Sequence, residues 1–234
     1  AVTAGIERRV GGGMWQAIGQ LLPIALAAAV SSIPITATIL ILVSDRRDEA
    51  ALPYLLGLVL GAAVFLILAT IVAQALPGGR DRDHQTAVGV LEILVGAALV
   101  LSGLVTLARQ RSARQSELPG WMSRLDELHA GPAFGLGLAL NVRPKAVLLV
   151  VAAGLVLRRA SLELQGTAVA MVFFLAVATS TVVAPIILTL MSPERMGPRL
   201  TRTRAWLTAY GPAVTAVVVI LVGALVLGSG IAHL

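Results

Sequence analysis

The sequence predicts an all-α integral membrane protein, with six transmembrane helices arranged as two inverted three-helix repeats. Three observations lead there. Of the 234 residues, 57% are hydrophobic and only 13% charged, about half the charged share of an ordinary soluble domain, and mean hydropathy is +0.90. The apolar residues come in long runs of Leu, Val, Ile and Ala, each matching the ~20 helical residues that cross a hydrocarbon layer of ~30 Å. These runs lack the alternation of barrel strands, which leaves helices as the way to satisfy the backbone in lipid. Finally, the polar interruptions recur, with a similar break opening each half of the chain.

Residues 1–14 read as an N-terminal tail carrying Glu7, Arg8, Arg9 and a run of glycines. No cleavable signal is evident, because the apolar block that follows is too long for one. Span one runs from about Trp15 to Val43. As one straight helix it would reach roughly 42 Å, more than the hydrocarbon thickness, so it is tilted or broken; Pro23 and Pro34 lie inside it. Span two runs from about Leu52 to Leu76 and span three from about Ala87 to Ala108. Gly57, Gly61, Gly96 and Gly103 mark places where helices approach closely. The turn Pro77-Gly78-Gly79 separates these two spans.

The connection 109–131 is the longest. Within it Trp121, Met122, Leu125 and Leu128 fall on one face of a short helix, with Pro119 suited to its first turn. We read this as a helix lying in the interface. Span four runs from about Pro132 to Leu157 and is interrupted by Asn141, Arg143, Pro144 and Lys145. Span five covers about Leu164 to Met191, with Pro185 inside, and span six about Trp206 to Ile231. The domains are thus 15–108, a first three-helix repeat, and 132–234, a second.

The repeat reading rests on matched breaks. Ser31-Ser32-Ile33-Pro34 precedes an apolar run that ends in Arg46-Arg47. Asn141-Val142-Arg143-Pro144 precedes one that ends in Arg158-Arg159. An odd number of spans per half inserts the second half upside down, as in many secondary transporters. Lys and Arg are richer in the loops after spans one, three and five. That places both termini on the extracytoplasmic side of a cytoplasmic (inner) membrane. The net charge of +6 is explained by topology and anionic headgroups rather than by nucleic acid.

Several chemistries are set aside. The chain has no cysteine, so disulfides, thiolate metal sites and thiol relays are out. It has no Gly-rich phosphate loop of the ATPase kind. His84, His129 and His233 are not at metal-ligand spacing. No enzyme activity, cofactor or metal is expected.

The candidate site is the span-four interruption. A cation at mid-membrane is costly unless it faces a wet cavity or a partner. Pro144 removes a backbone donor and frees carbonyls. Asn141, Arg143, Pro144 and Lys145 together suit a polar or anionic substrate group. The alternative is that Arg143 and Lys145 snorkel to an interface. The matching break in span one offers Ser31, Ser32, Pro34, Thr36 and Thr38, hydroxyls that serve helix packing as readily as ligand binding. Thr179, Ser180 and Thr181 in span five either complete the cavity or satisfy carbonyls loosened by Pro185. Glu92 is the acid inside a span. It is read either as a proton-coupling carboxylate or partner of the span-four cations, or as an interfacial acid.

These segments resemble the lysine exporter superfamily and, within it, the peptidoglycolipid-addressing and sulfolipid-addressing proteins of actinobacteria. The resemblance is carried by Ser32-Ile33-Pro34-Ile35, by Val43-Ser44-Asp45-Arg46-Arg47, by Leu55 to Gly61, and by Ala139-Leu140-Asn141-Val142-Arg143-Pro144-Lys145 with the apolar run to Gly154. It covers most of the chain from Trp15 onward. It implies six helices in two repeats and a role in moving cell-envelope glycolipids to the surface. By position it points to Pro34, Asn141, Pro144 and Lys145. In span one, where the resemblance leads one to expect an Asn-Pro pair, Ser32-Ile33-Pro34 stands instead. Other members of the superfamily export amino acids or metal cations.

The leading expectation is a membrane exporter that moves an envelope lipid or glycolipid through a midplane polar site. Its expected partners are membrane lipids, the lipid substrate, and either a second copy of the chain or an envelope-lipid export machine. The alternatives are a proton-coupled small-solute or amino-acid exporter using Glu92, and an accessory subunit that transports nothing itself.

Overall fold

A computed structural model describes residues 2–75, 82–112, 128–191 and 193–232. Among these the protein is all-helical: α1 (Val2–Ala29), α2 (Ser32–Val43), α3 (Arg47–Ala75), α4 (Arg82–Ser112), α5 (Ala130–Ala139), α6 (Pro144–Ala160), α7 (Leu164–Met191) and α8 (Pro193–Ile231). The helix α1 begins inside the stretch read from sequence as a tail. The expected interfacial helix lies outside the described residues as far as residue 127, and so does the turn at 77–79. Leu128 precedes α5 and packs on the apolar cluster beside α2.

Arg47–Ala75, Gly89–Ala108, Leu164–Met191 and Ala213–Ile231 are each long and apolar enough to cross a bilayer. The pairs α1–α2 and α5–α6 qualify only when each is joined. They bend by 51° and 61° at their breaks, which makes four spans, or six if each bent pair counts as one. The chain is therefore a multi-pass membrane protein, and each half opens with a bent pair followed by two long helices.

Proline chemistry accounts for both breaks. A proline ring clashes with the carbonyl four residues earlier and cannot donate to it. For Pro34 that carbonyl is Val30, and α1 stops at Ala29. For Pro144 it is Leu140, and α5 stops at Ala139. Arg143, which precedes Pro144, takes an extended conformation (φ −64, ψ 141), as residues before proline prefer. The helices then restart with Ser31 and Arg143 as N-caps.

The glycines set how closely the helices approach. A Cβ on Gly57 would press on the Phe134 carbonyl of α5, and one on Gly61 would run into Asn141. Gly96 and Gly103 of α4 meet α8 at Leu227 and Ile220. Around these contacts the buried apolar residues form two separate clusters. One joins α2 and the start of α3 to α5 and the end of α7, with Ile39, Ile41, Tyr54, Ala133 and Ile186. The other joins α1 and α4 to α6, α7 and α8, with Leu21, Leu99, Leu149, Phe174 and Val219.

Candidate functional site

Both breaks open onto one cavity of about 80 Å³. The elbow of α1–α2 contributes Ala29, Ser31 and Pro34. The elbow of α5–α6 contributes Asn141, Arg143 and Lys145. Thr179 and Thr181 of α7 face them. Apolar side chains, Leu58, Leu149 and Phe174 among them, make up most of the remaining wall.

At the two breaks, each carbonyl orphaned by the proline has found a side-chain donor. Thr215 of α8 donates its hydroxyl to the Val30 carbonyl. Arg143 Nε donates to the Leu140 carbonyl at 2.8 Å. Thr181 Oγ1 donates to the Ala29 carbonyl, 2.7 Å away. The Asn141 amide donates to the Gly137 and Leu58 carbonyls, at 3.0 and 3.2 Å, and so fastens the α5–α6 elbow to α3. Tyr54 is fully buried, and its hydroxyl donates to the Pro34 carbonyl at 3.0 Å, which Thr38 also reaches at 2.7 Å. The carbonyl ends at the breaks are thereby neutralised locally.

The amide ends are treated differently. Neither Ser31 nor Arg143 uses its side chain to cap the helix that follows it. The N-termini of α2 and α6, each the positive end of a helix dipole, are thus left without that local acceptor. Two cations and no acid line the cavity among the described residues. Lys145 Nζ is buried and makes no hydrogen bond. In a low-dielectric setting an unpaired ammonium is expensive, and an entering anionic group offsets that cost. Helix dipoles and side-chain charges therefore favour the same sign of ligand.

Of the residues expected from sequence, Ser31, Pro34, Asn141, Arg143, Lys145, Thr179 and Thr181 come together around the cavity. Four do not line it. Pro144 is exposed at the first position of α6, where it sets the break. Ser180 is exposed and bonds the Val177 carbonyl. Ser32 and Thr36 are half-buried on α2. Thr179 bonds Leu175 within its own helix, so none of the three α7 hydroxyls serves a carbonyl loosened by Pro185.

Glu92 also lies outside the cavity wall. It is 2% exposed and forms an ion pair with Arg159 at the end of α6. Its partner is therefore neither Lys145 nor Arg143. Sequence reasoning missed Thr215 and Tyr54. A lone threonine in an apolar run and a tyrosine near the start of a span were the signals available for them.

A family model described as "Sap, sulfolipid-1-addressing protein" matches residues 21–232. No curated protein and no solved structure matches the chain significantly.

Proposed function

Because this chain belongs to the sulfolipid-1-addressing protein family, we propose that it exports an anionic lipid or glycolipid of the cell envelope, holding the headgroup in the cavity between its broken helices. The observation that carries this reading is Lys145, whose ammonium is buried without a hydrogen bond beside Arg143 in a cavity that no acid lines among the described residues. Arg143 and Lys145 hold the anionic group. Asn141 and Thr181 act one step back, keeping the two elbows in place through backbone carbonyls.

A cavity of about 80 Å³ is smaller than an apolar cavity of ~150 Å³ that admits benzene. It suits part of a headgroup, and the acyl chains must stay outside. The elbows themselves reach the perimeter: Val142 is 62% and Ile33 39% exposed. The chains of a bound lipid can then lie against the outer helix faces while its charge sits inside.

The matched breaks also support the architecture of six spans in two oppositely inserted repeats. In that arrangement both termini lie on one face, and the Lys and Arg bias of the loops makes that the extracytoplasmic face of an inner membrane. Glu92, paired and outside the cavity wall, gives the proton-coupled solute reading no independent support.

The test is export by the double variant Arg143→Met/Lys145→Met, followed by mass spectrometry of surface-extracted and total envelope lipids. Loss of one anionic lipid class from the surface, with its accumulation inside, is the expected result. Unchanged surface lipid with normal protein levels overturns the proposal and leaves an accessory role.

A further inference from the structure

The two apolar clusters flank the cavity, one through Leu58 and Leu140 and the other through Leu149 and Phe174, and the polar contacts beyond them differ. Followed along the helices, the end of α2, the start of α3 and the start of α5 meet at one end of the bundle. There a polar contact between the two halves of the chain is Arg46 Nη1 donating to His129 Nε2 at 2.6 Å, and it is exposed. At the opposite end the start of α4, from the first half, meets the end of α6, from the second. Here one such contact is the Glu92–Arg159 ion pair, with Glu92 2% exposed.

Helix α6 connects this pair to the cavity. Its first turn carries Lys145, its N-cap is Arg143, and its last turn carries Arg159. As a helix of 17 residues it is a rigid rod of about 25 Å. Gly154 packs α6 closely on α3 at Ala69, so a shift of its cationic end toward a ligand carries α3 with it and moves Arg159 relative to α4. The α4 side is fixed, because Gly96, Gly103 and Gly223 let α4 and α8 pack in close contact.

We propose that Glu92 and Arg159 form the lock of a gate at their end of the bundle, released when α6 moves. The cavity then opens first at the Arg46 end, where the cross-half contact is exposed and readily exchanged with water. The ion pair is a positioning device and touches no substrate. The inference rests on the reading of the cavity as the transport site.

The absence of cysteine makes the test direct. Ala146, which lines the cavity, is changed to Cys in the full-length chain. Its labelling by a membrane-impermeant maleimide is then followed from each face of oriented vesicles. Adding Glu92→Gln is expected to raise labelling from the Arg159 end about tenfold, as a modest shift of a two-state equilibrium does, without change from the Arg46 end. A disulfide between Glu92→Cys and Arg159→Cys, formed in the same Ala146→Cys chain after Ala146→Cys has been left unlabelled, is expected to return labelling to the parent level. Reduction is expected to restore it.

If Glu92→Gln does not accumulate, Arg159→Gln carries the test with the same expected rise, and the charge swap Glu92→Arg/Arg159→Glu is expected to bring labelling back to the parent level. Labelling that is unchanged by the single variants Glu92→Gln and Arg159→Gln, or raised equally from both faces, overturns the proposal. Accessibility is read without following any exported lipid, so the two readings separate. If Arg143→Met/Lys145→Met still exports while the asymmetry appears, the lipid site fails and the gate stands.

Discussion

At the scale of single residues, the site is built from groups that are short of partners and groups that supply them. Lys145 belongs to the first kind. A buried polar group left unsatisfied costs on the order of 1–3 kcal/mol, so Lys145→Met is expected to raise the thermal stability of the purified protein while lowering export. Thermal unfolding in detergent and surface-lipid analysis check the two halves of that outcome, and a fall in stability would show the ammonium to be well satisfied. Thr181 belongs to the second kind. Its hydroxyl caps the last carbonyl of α1, and Thr181→Val keeps the shape while deleting the donor. Side-chain hydrogen bonds inside membrane proteins average about 0.6 kcal/mol. A small drop in melting temperature is expected, larger than for Ser180→Ala, whose hydroxyl bonds within its own helix at an exposed position.

At the scale of helices, close approach decides which positions tolerate a side chain. The short helix α5 holds a matched pair. A Cβ on Gly137 would press on the Tyr54 carbonyl and come within 2.6 Å of the Leu58 amide nitrogen, whereas one on Gly135 meets nothing within 4 Å. Gly137→Ala must therefore push α5 away from α3 and strain the Asn141 bond to Leu58. The expected cost is about 1–3 kcal/mol, as for other overpacked cores, and export falls with it. Gly135→Ala is expected to leave both stability and export at parent level. Melting curves for the two variants, side by side, check this. The bends belong to this scale too. Pro23, Pro53 and Pro185 lie inside continuous helices, while Pro34 and Pro144 follow breaks. At the two breaks, Thr215 and Arg143 supply donors to the carbonyls that the prolines orphan.

At the scale of the whole molecule, two apolar clusters flank a small, mostly apolar cavity that holds two cations, and each half of the chain contributes a broken helix to it. If the halves are inserted oppositely, reporters fused to the N- and C-termini give the same, extracytoplasmic answer, and one inserted after α4 gives the other. Termini on opposite faces would exclude six spans. Much of this was legible in the sequence. Long apolar runs dictate membrane helices because lipid offers the backbone no other partner. The two cations and the proline at 141–145 marked the break in span four, since charge and a missing donor are both costly in hydrocarbon. Pairing was not legible. Nothing local tells that Thr215 reaches Val30, that Glu92 takes Arg159 rather than Lys145, or that Ser31 faces the cavity while Ser32 does not. Those outcomes depend on which helix faces meet and at what depth. Hydropathy within one segment sets that a helix forms and crosses, whereas glycine-paced packing between distant segments decides which polar groups come within hydrogen-bond reach.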